Sequence, residues 1–278
     1  MSRDETLWPR LFVESLAEID PGIAARIELA AWPGEDERTD QLVQAVDAVI
    51  AFGSDATIQI LREKTPDTTP FFGFGHSISV GMILPERCPL SGMTDPFSLE
   101  LASEFARDVL LYQQQGCLSP QMLLVEGEAG DVQEVTSILG VRLREEVNTL
   151  DIMPVTEPAV ARTIRQVRDM ALFQGVGVSG DEFLRWTILA YQREITLPPP
   201  IGYGVLPIIP VMNSAQVLSR WSRLVSCVGV VGKVTAEWKQ ELARRGISRL
   251  CEAGEMQTPP LDWPNGNIDL LAELLRLS

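Results

Sequence analysis

The sequence predicts an α/β protein, and three observations carry that expectation. Helical and strand-like periodicities alternate along the first eighty residues in α-β-α-β-α-β order, the grammar of a doubly wound sheet. Within them Ala48-Val49-Ile50-Ala51-Phe52 is a continuous apolar run, as expected for a strand buried on both faces of a parallel sheet. Strand-helix alternation then continues to the C-terminus, so the second half also reads as α/β. At about 150 residues per domain, 278 residues accommodate two modest domains or one large one.

The elements follow in order. Leu7, Leu11, Phe12 and Leu16 recur at helical spacing, and Asp20-Pro21-Gly22 punctuates that helix. Ile27 to Trp32 is a short apolar strand candidate closed by Pro33-Gly34. An acidic amphipathic helix runs from about Asp36 to Val46, with Leu42, Val43 and Val46 facing inward. After the apolar strand, Gly53-Ser54-Asp55 turns the chain into a helix from about Ala56 to Lys64. Phe71 to Phe74 and Ser77 to Leu84 supply further strands, and Pro85 to Pro96 is the linker candidate. A long helix, about Asp95 to Gln114, delivers the chain to Gly116-Cys117. A strand at Met122 to Val125 and helices near Asp131 to Glu146 and Glu157 to Phe173 come next. Val225 to Val231 is an apolar strand that carries Cys227 into the core. Pro198-Pro199-Pro200 and Thr258-Pro259-Pro260 mark rigid loops.

Composition narrows the function. The chain is 45% hydrophobic and 22% charged, ordinary for a globular protein. Its 38 acidic residues outnumber 23 Lys and Arg, a net charge of −15 that disfavours phosphate backbones and anionic lipid surfaces alike. The start, Met1 to Glu5, is not a secretory signal, and no apolar run approaches the ~20 residues needed to span a bilayer. Cys88, Cys117, Cys227 and Cys251 are too widely spaced for a metal-binding pair or a disulfide framework, so reduced thiols in a cytoplasm are expected. One histidine, His76, cannot build a zinc site of two or three imidazoles. Gly75-His76-Ser77-Ile78-Ser79 approaches a G-x-S-x-G nucleophile elbow, but its fifth residue is serine. Its only base would also sit beside its own nucleophile, where it cannot reach back.

Chemistry has two candidate locations. At Gly53-Ser54 a glycine permits close backbone approach, and the helix behind it presents N–H groups and a positive dipole end to an anion such as a nucleotide pyrophosphate. The same residues also read as a simple helix cap by Ser54 or Asp55, worth about 1 kcal/mol. The second location is Gln113 to Pro120. Cys117 stands just past a helix end on a loop closed by Ser-Pro, where its thiolate is placed to act as a nucleophile beside backbone N–H groups. The residues alone leave open a half-buried cysteine with no chemical role.

The octet Gln114-Gln115-Gly116-Cys117-Leu118-Ser119-Pro120-Gln121 resembles the catalytic loop of acyl-CoA reductases of the bacterial bioluminescence type, divergent members of the aldehyde dehydrogenase superfamily. Trp32-Pro33-Gly34, Phe74 to Ser79, and Gly254 to Trp263 agree in the same order, and Ala48 to Asp55 resembles the superfamily's cofactor loop. The resemblance implies an aldehyde-dehydrogenase-like fold. Residues 1–85 would be the second half of a Rossmann-type cofactor domain, and residues 86–278 a catalytic thiol domain with a C-terminal return segment. It implies NADPH- or NADH-dependent reduction of an acyl-CoA or other acyl thioester to an aldehyde, with Cys117 carrying the acyl group. Gly53 and Ser54 would hold the cofactor pyrophosphate, and no metal is implied.

Aldehyde-oxidising relatives place a glutamate base in the segment matching Phe74 to Ser79. Here that stretch has no carboxylate, which suits a thioester reductase, and His76 within it reads first as a structural hydrogen-bonding residue and second as a catalytic base. The resemblance also departs from its family. The asparagine and lysine of the opening half of the cofactor domain would lie before Met1, and Thr196 to Ser214 lacks the ribose-binding glutamate, with Glu194 a distant candidate. A chain so shortened is expected to form a homo-oligomer or to pair with a complementary subunit. It also allows a non-catalytic, aldehyde-dehydrogenase-like subunit that needs a partner chain.

Overall fold

The computed structural model describes residues 7–84, 96–196, 198–221, 224–231 and 236–276. Residues 85–95, nearly all of the linker candidate and Cys88 with it, lie outside the described residues. The chain divides into two units, residues 1–73 and 74–278.

In the first unit, α1 (Leu7–Ile19) is amphipathic yet buries no residue. The Asp20 carboxylate then accepts from the Gly22 and Ile23 N–H groups, so Asp20-Pro21-Gly22 opens a one-turn helix, α2 (Pro21–Ala24), as well as closing α1. Ile27 to Trp32 forms no strand, against expectation. Glu28, Ala30 and Ala31 are weak strand formers, and among the described residues the stretch pairs with no strand. Trp32 is instead held from α3 (Glu37–Ala45), its Nε1–H donating to Thr39 Oγ1 at 2.8 Å. β1 (Val49–Phe52) forms as expected, but only Ala51 is buried and Phe52 is 68% exposed. It pairs with β2 (Phe71–Phe74) in a two-stranded sheet, with α4 (Asp55–Lys64) between them in sequence, and so few strands cannot bury both faces.

The second unit holds a seven-stranded sheet in the order β5-β6-β7-β4-β3-β8-β9. Its strands are β3 (Ile78–Ile83), β4 (Pro120–Glu126), β5 (Gly177–Gly180), β6 (Thr187–Ala190), β7 (Val205–Val211), β8 (Val225–Val231) and β9 (Arg249–Glu252). All pairings are parallel except β5 with β6. The two-sided burial that Ala48 to Phe52 lacks is found here. β4 sends Leu123 and Val125 to one face and Met122 and Leu124 to the other, all buried. On the first face lie α5 (Pro96–Leu110) and α6 (Ala129–Thr149), which contribute Phe105, Val109, Ile138 and Leu143. α7 (Pro158–Phe173) packs Ala161 and Ile164 with Leu189 and Val205 in a separate cluster. The opposite face is covered by α8 (Ser214–Trp221) and α9 (Ala236–Arg244) through Val217, Leu218 and Leu242. A short α10 (Leu270–Leu275) follows.

Candidate active site

The expected helix to Gln114 ends as a regular helix at Leu110. Tyr112, Gln113 and Gln114 then adopt φ of 55°, 53° and 59°, left-handed values that cost a residue with a Cβ about 1–3 kcal/mol each. Hydrogen bonds over-determine this turn. Gln114 is buried and its Nε2 donates to the Pro120 carbonyl at 2.7 Å. Gln121 Nε2 donates to the carbonyls of Gln114 and Ser119 at 2.9 and 3.1 Å, and the Tyr203 N–H donates to the Gln113 carbonyl at 2.7 Å. Gln114 and Gln121 are therefore mechanical parts of the cysteine's loop.

Gly116 to Ser119 make the next turn, closed by the Ser119 N–H donating to the Gly116 carbonyl at 3.0 Å. Cys117 occupies its second position and is exposed. The turn's closing bond uses the Ser119 N–H and the Gly116 carbonyl, so it does not occupy the N–H groups of the two central residues, Cys117 and Leu118. The Cys117 carbonyl accepts from Ser79 Oγ, on the interior strand β3, at 2.8 Å. A Cβ on Gly116 would stand 3.1 Å from the buried Ser119 Oγ and 3.5 Å from Gln257 Oε1, so glycine lets the turn lie flat against its support.

Behind the loop lies Asp108, a buried carboxyl near the end of α5. Burial pushes its pKa up to about 7, although N–H groups of Gly254, Met256 and Gln257 and the charge of Arg249 oppose the shift. Cys227 is in the core as expected, with its sulfur 3.8 Å from that of Cys251. The Cys251 contact and burial hold the Cys227 thiol well above its usual pKa, so it stays neutral.

The other candidates are placed as follows. Ser54 caps α4, its Oγ accepting from the Thr57 N–H at 3.2 Å and lying 2.9 Å from Thr57 Oγ1. At Gly53 a Cβ would meet Thr57 Cβ and Cγ2 at 3.2 Å. Cap and anion site are compatible here, since the cap uses the Ser54 hydroxyl and an anion would use the backbone. His76 is exposed in the connector before β3. Gly75 to Ser79 runs from that connector into a strand, whereas a nucleophile elbow runs from a strand into a helix. Glu194 pairs with Arg220 at 2.9 Å. Sequence reasoning quoted Ser79 without a role and left Asp108 and Gln257 unassigned; for Gln257, the signal was the segment Gly254 to Trp263. Among the described residues no helix is long and apolar enough to cross a membrane, and no group of three or more His, Cys, Asp or Glu could hold a metal ion.

The family model described as Acyl-CoA reductase (LuxC) matches residues 1–277. A long-chain acyl-protein thioester reductase of Photorhabdus laumondii is 24% identical over 246 residues, which cover 86% of this chain and 48% of that protein. This chain thus spans about half the length of the curated relatives it matches. Among solved structures, the NADP-dependent glyceraldehyde-3-phosphate dehydrogenase of Bacillus halodurans, complexed with NADP, superposes with a TM-score of 0.62 at 20% identity. That match covers 91% of this chain and 54% of the other. Aldehyde dehydrogenase C of Pseudomonas syringae gives a TM-score of 0.55 at 12% identity, over 82% and 49%. The fold is that of the aldehyde dehydrogenases.

Proposed function

This chain belongs to the acyl-CoA reductase (LuxC) family, and from that premise we propose that it reduces a long-chain acyl thioester to an aldehyde through an acyl group carried on Cys117. The observation that carries the proposal is the exposed Cys117 on a turn held by Ser79, Gln114 and Gln121. The name of the Photorhabdus relative supports a long-chain acyl thioester on protein as the substrate, and the family's description supports one on coenzyme A.

The Cys117 thiolate adds to the thioester carbonyl, forming a carbon–sulfur bond while the carbonyl π-pair moves onto oxygen. Backbone N–H groups of the turn stabilise that oxyanion. Collapse expels the original thiolate and leaves the acyl group on Cys117 as a new thioester. NADPH or NADH, when bound, supplies the hydride that reduces this acyl group. Cys117 then departs as thiolate with its bonding pair, the aldehyde leaves, and the thiolate is ready for another cycle. Phe74 to Ser79 contributes no carboxylate to activate water, which preserves the acyl group for reduction.

For the cofactor, the backbone of Gly53 and Ser54 at the start of α4 fits a pyrophosphate. The NADP bound by the Bacillus halodurans neighbour supports a nicotinamide dinucleotide. The test is intact mass after incubation with a long-chain acyl-CoA, with and without NADPH or NADH. Acyl mass that maps to Cys117 and disappears when reduced cofactor is added is the expected result. Absence of an adduct refutes the Cys117 role, and an adduct that persists with either cofactor refutes reduction.

A further inference from the structure

The segment Gly254 to Trp263 has no part in the steps above, yet its first half is built against the cysteine turn. Met256 is fully buried in the core, and Arg249 of β9 donates to the carbonyls of Met256, Glu255 and Thr258 at 2.5, 2.5 and 3.3 Å. Gly254, at φ +87°, directs its N–H to Asp108 Oδ2 at 2.6 Å. With the backbone anchored at three places, Gln257 extends toward the catalytic loop. Its Nε2 donates both hydrogens, one to Ser119 Oγ at 2.9 Å and one to the Asp108 carbonyl at 3.2 Å. Its Oε1 lies over Gly116, 3.5 Å from where a Cβ would be.

We infer that Gln257 is a positioning residue for Cys117: it ties the 116–119 turn to the end of α5 and so fixes where the cysteine sulfur and the turn's N–H groups point. The geometry fits that role better than a packing role. A packing residue would fill space with carbon, whereas Gln257 spends both N–H donors on bridging the element before the nucleophile to the residue two after it. Ser119 is buried, so the bond is shielded from competing water. A turn free to rock by about 1 Å would misalign attack on a carbonyl, and misplacement of that size costs about 10²-fold in rate. This inference rests on the nucleophilic role proposed for Cys117.

The test compares wild type with Gln257→Met, which keeps the length but loses both donors, with Ser119→Ala, and with the double variant. Two quantities are read: acylation of Cys117 by a long-chain acyl-CoA across a concentration series, and amide hydrogen exchange of residues 116–119. The single variants are expected to lower the maximal acylation rate at least about tenfold, with the half-saturating concentration moving less than about twofold. The double variant is expected to be no slower than the slower single, because both remove the same bond. Exchange across the turn is expected to quicken about tenfold in each variant. Unchanged exchange in Gln257→Met overturns the clamp. Faster exchange with wild-type acylation reduces it to a structural bond and overturns the positioning role. A wild-type chain that takes up no acyl group refutes the nucleophile reading itself, a result distinct from either.

Discussion

Replacing Asp108 with Asn removes a pH dependence that the fold builds in. Asp108 is 1% exposed, so its charge is not screened by water. Its pKa rises from 3.8 to about 7, chiefly because burial penalises the charged form. Because the folded-state value is the higher one, the folded chain binds the proton more tightly than the unfolded chain does. The associated stability is therefore full below about pH 4 and is lost as the pH rises through 7. A gap of roughly three pKa units corresponds to roughly 4 kcal/mol, of which roughly 3 kcal/mol is lost between pH 5 and pH 8. Asn keeps a carbonyl oxygen for the Gly254 N–H but has no charge to bury. Urea unfolding of both proteins across that range isolates the effect, since Glu104 on the same helix and Arg249 on the facing strand β9 are common to both. Asp108→Asn is expected to gain on wild type steadily toward pH 8. A difference that stays flat, or shrinks as the pH rises, would refute the burial argument.

Two further outcomes follow from the same packing. Ser79→Ala removes the donor to the Cys117 carbonyl at 2.8 Å; acyl uptake from acyl-CoA should slow about tenfold, with a stability loss near ~1 kcal/mol in denaturant unfolding. Phe105→Ala empties a fully buried ring from between α5 and the sheet. A loss of about 3–5 kcal/mol is expected in the same assay at unchanged denaturant slope, and a loss under ~1 kcal/mol would mean that the cluster is not packed as described.

Much of this protein was legible in its linear pattern wherever a single element carries its own signal. Val225 to Val231 is read with the bounds the structure shows, because a strand buried on both faces is apolar at nearly every position. The helix at Asp36 to Val46 is found within a residue at each end, because its cap is local, but of the residues expected to face inward Val43 is buried while Leu42 is 49% exposed, since what covers a stripe is set by other elements. The Cys117 octet stood out because Gln114 to Gln121 resembles the catalytic loop of the acyl-CoA reductases; the residues alone left the thiol's role open. Ile27 to Trp32 was misread because an apolar run becomes a strand only with a neighbour to pair with, and pairing is not written in the run itself.

Amino-acid order by itself thus determined the α/β class, the position of the thiol and the family, since each depends on residues close together in the chain. Tertiary structure alone decided that Ser79, Asp108 and Gln257 meet at the cysteine turn, from positions before and after it on β3, α5 and the loop beyond β9. Those outcomes depend on which strands lie side by side and which face each helix covers, and long-range packing sets both.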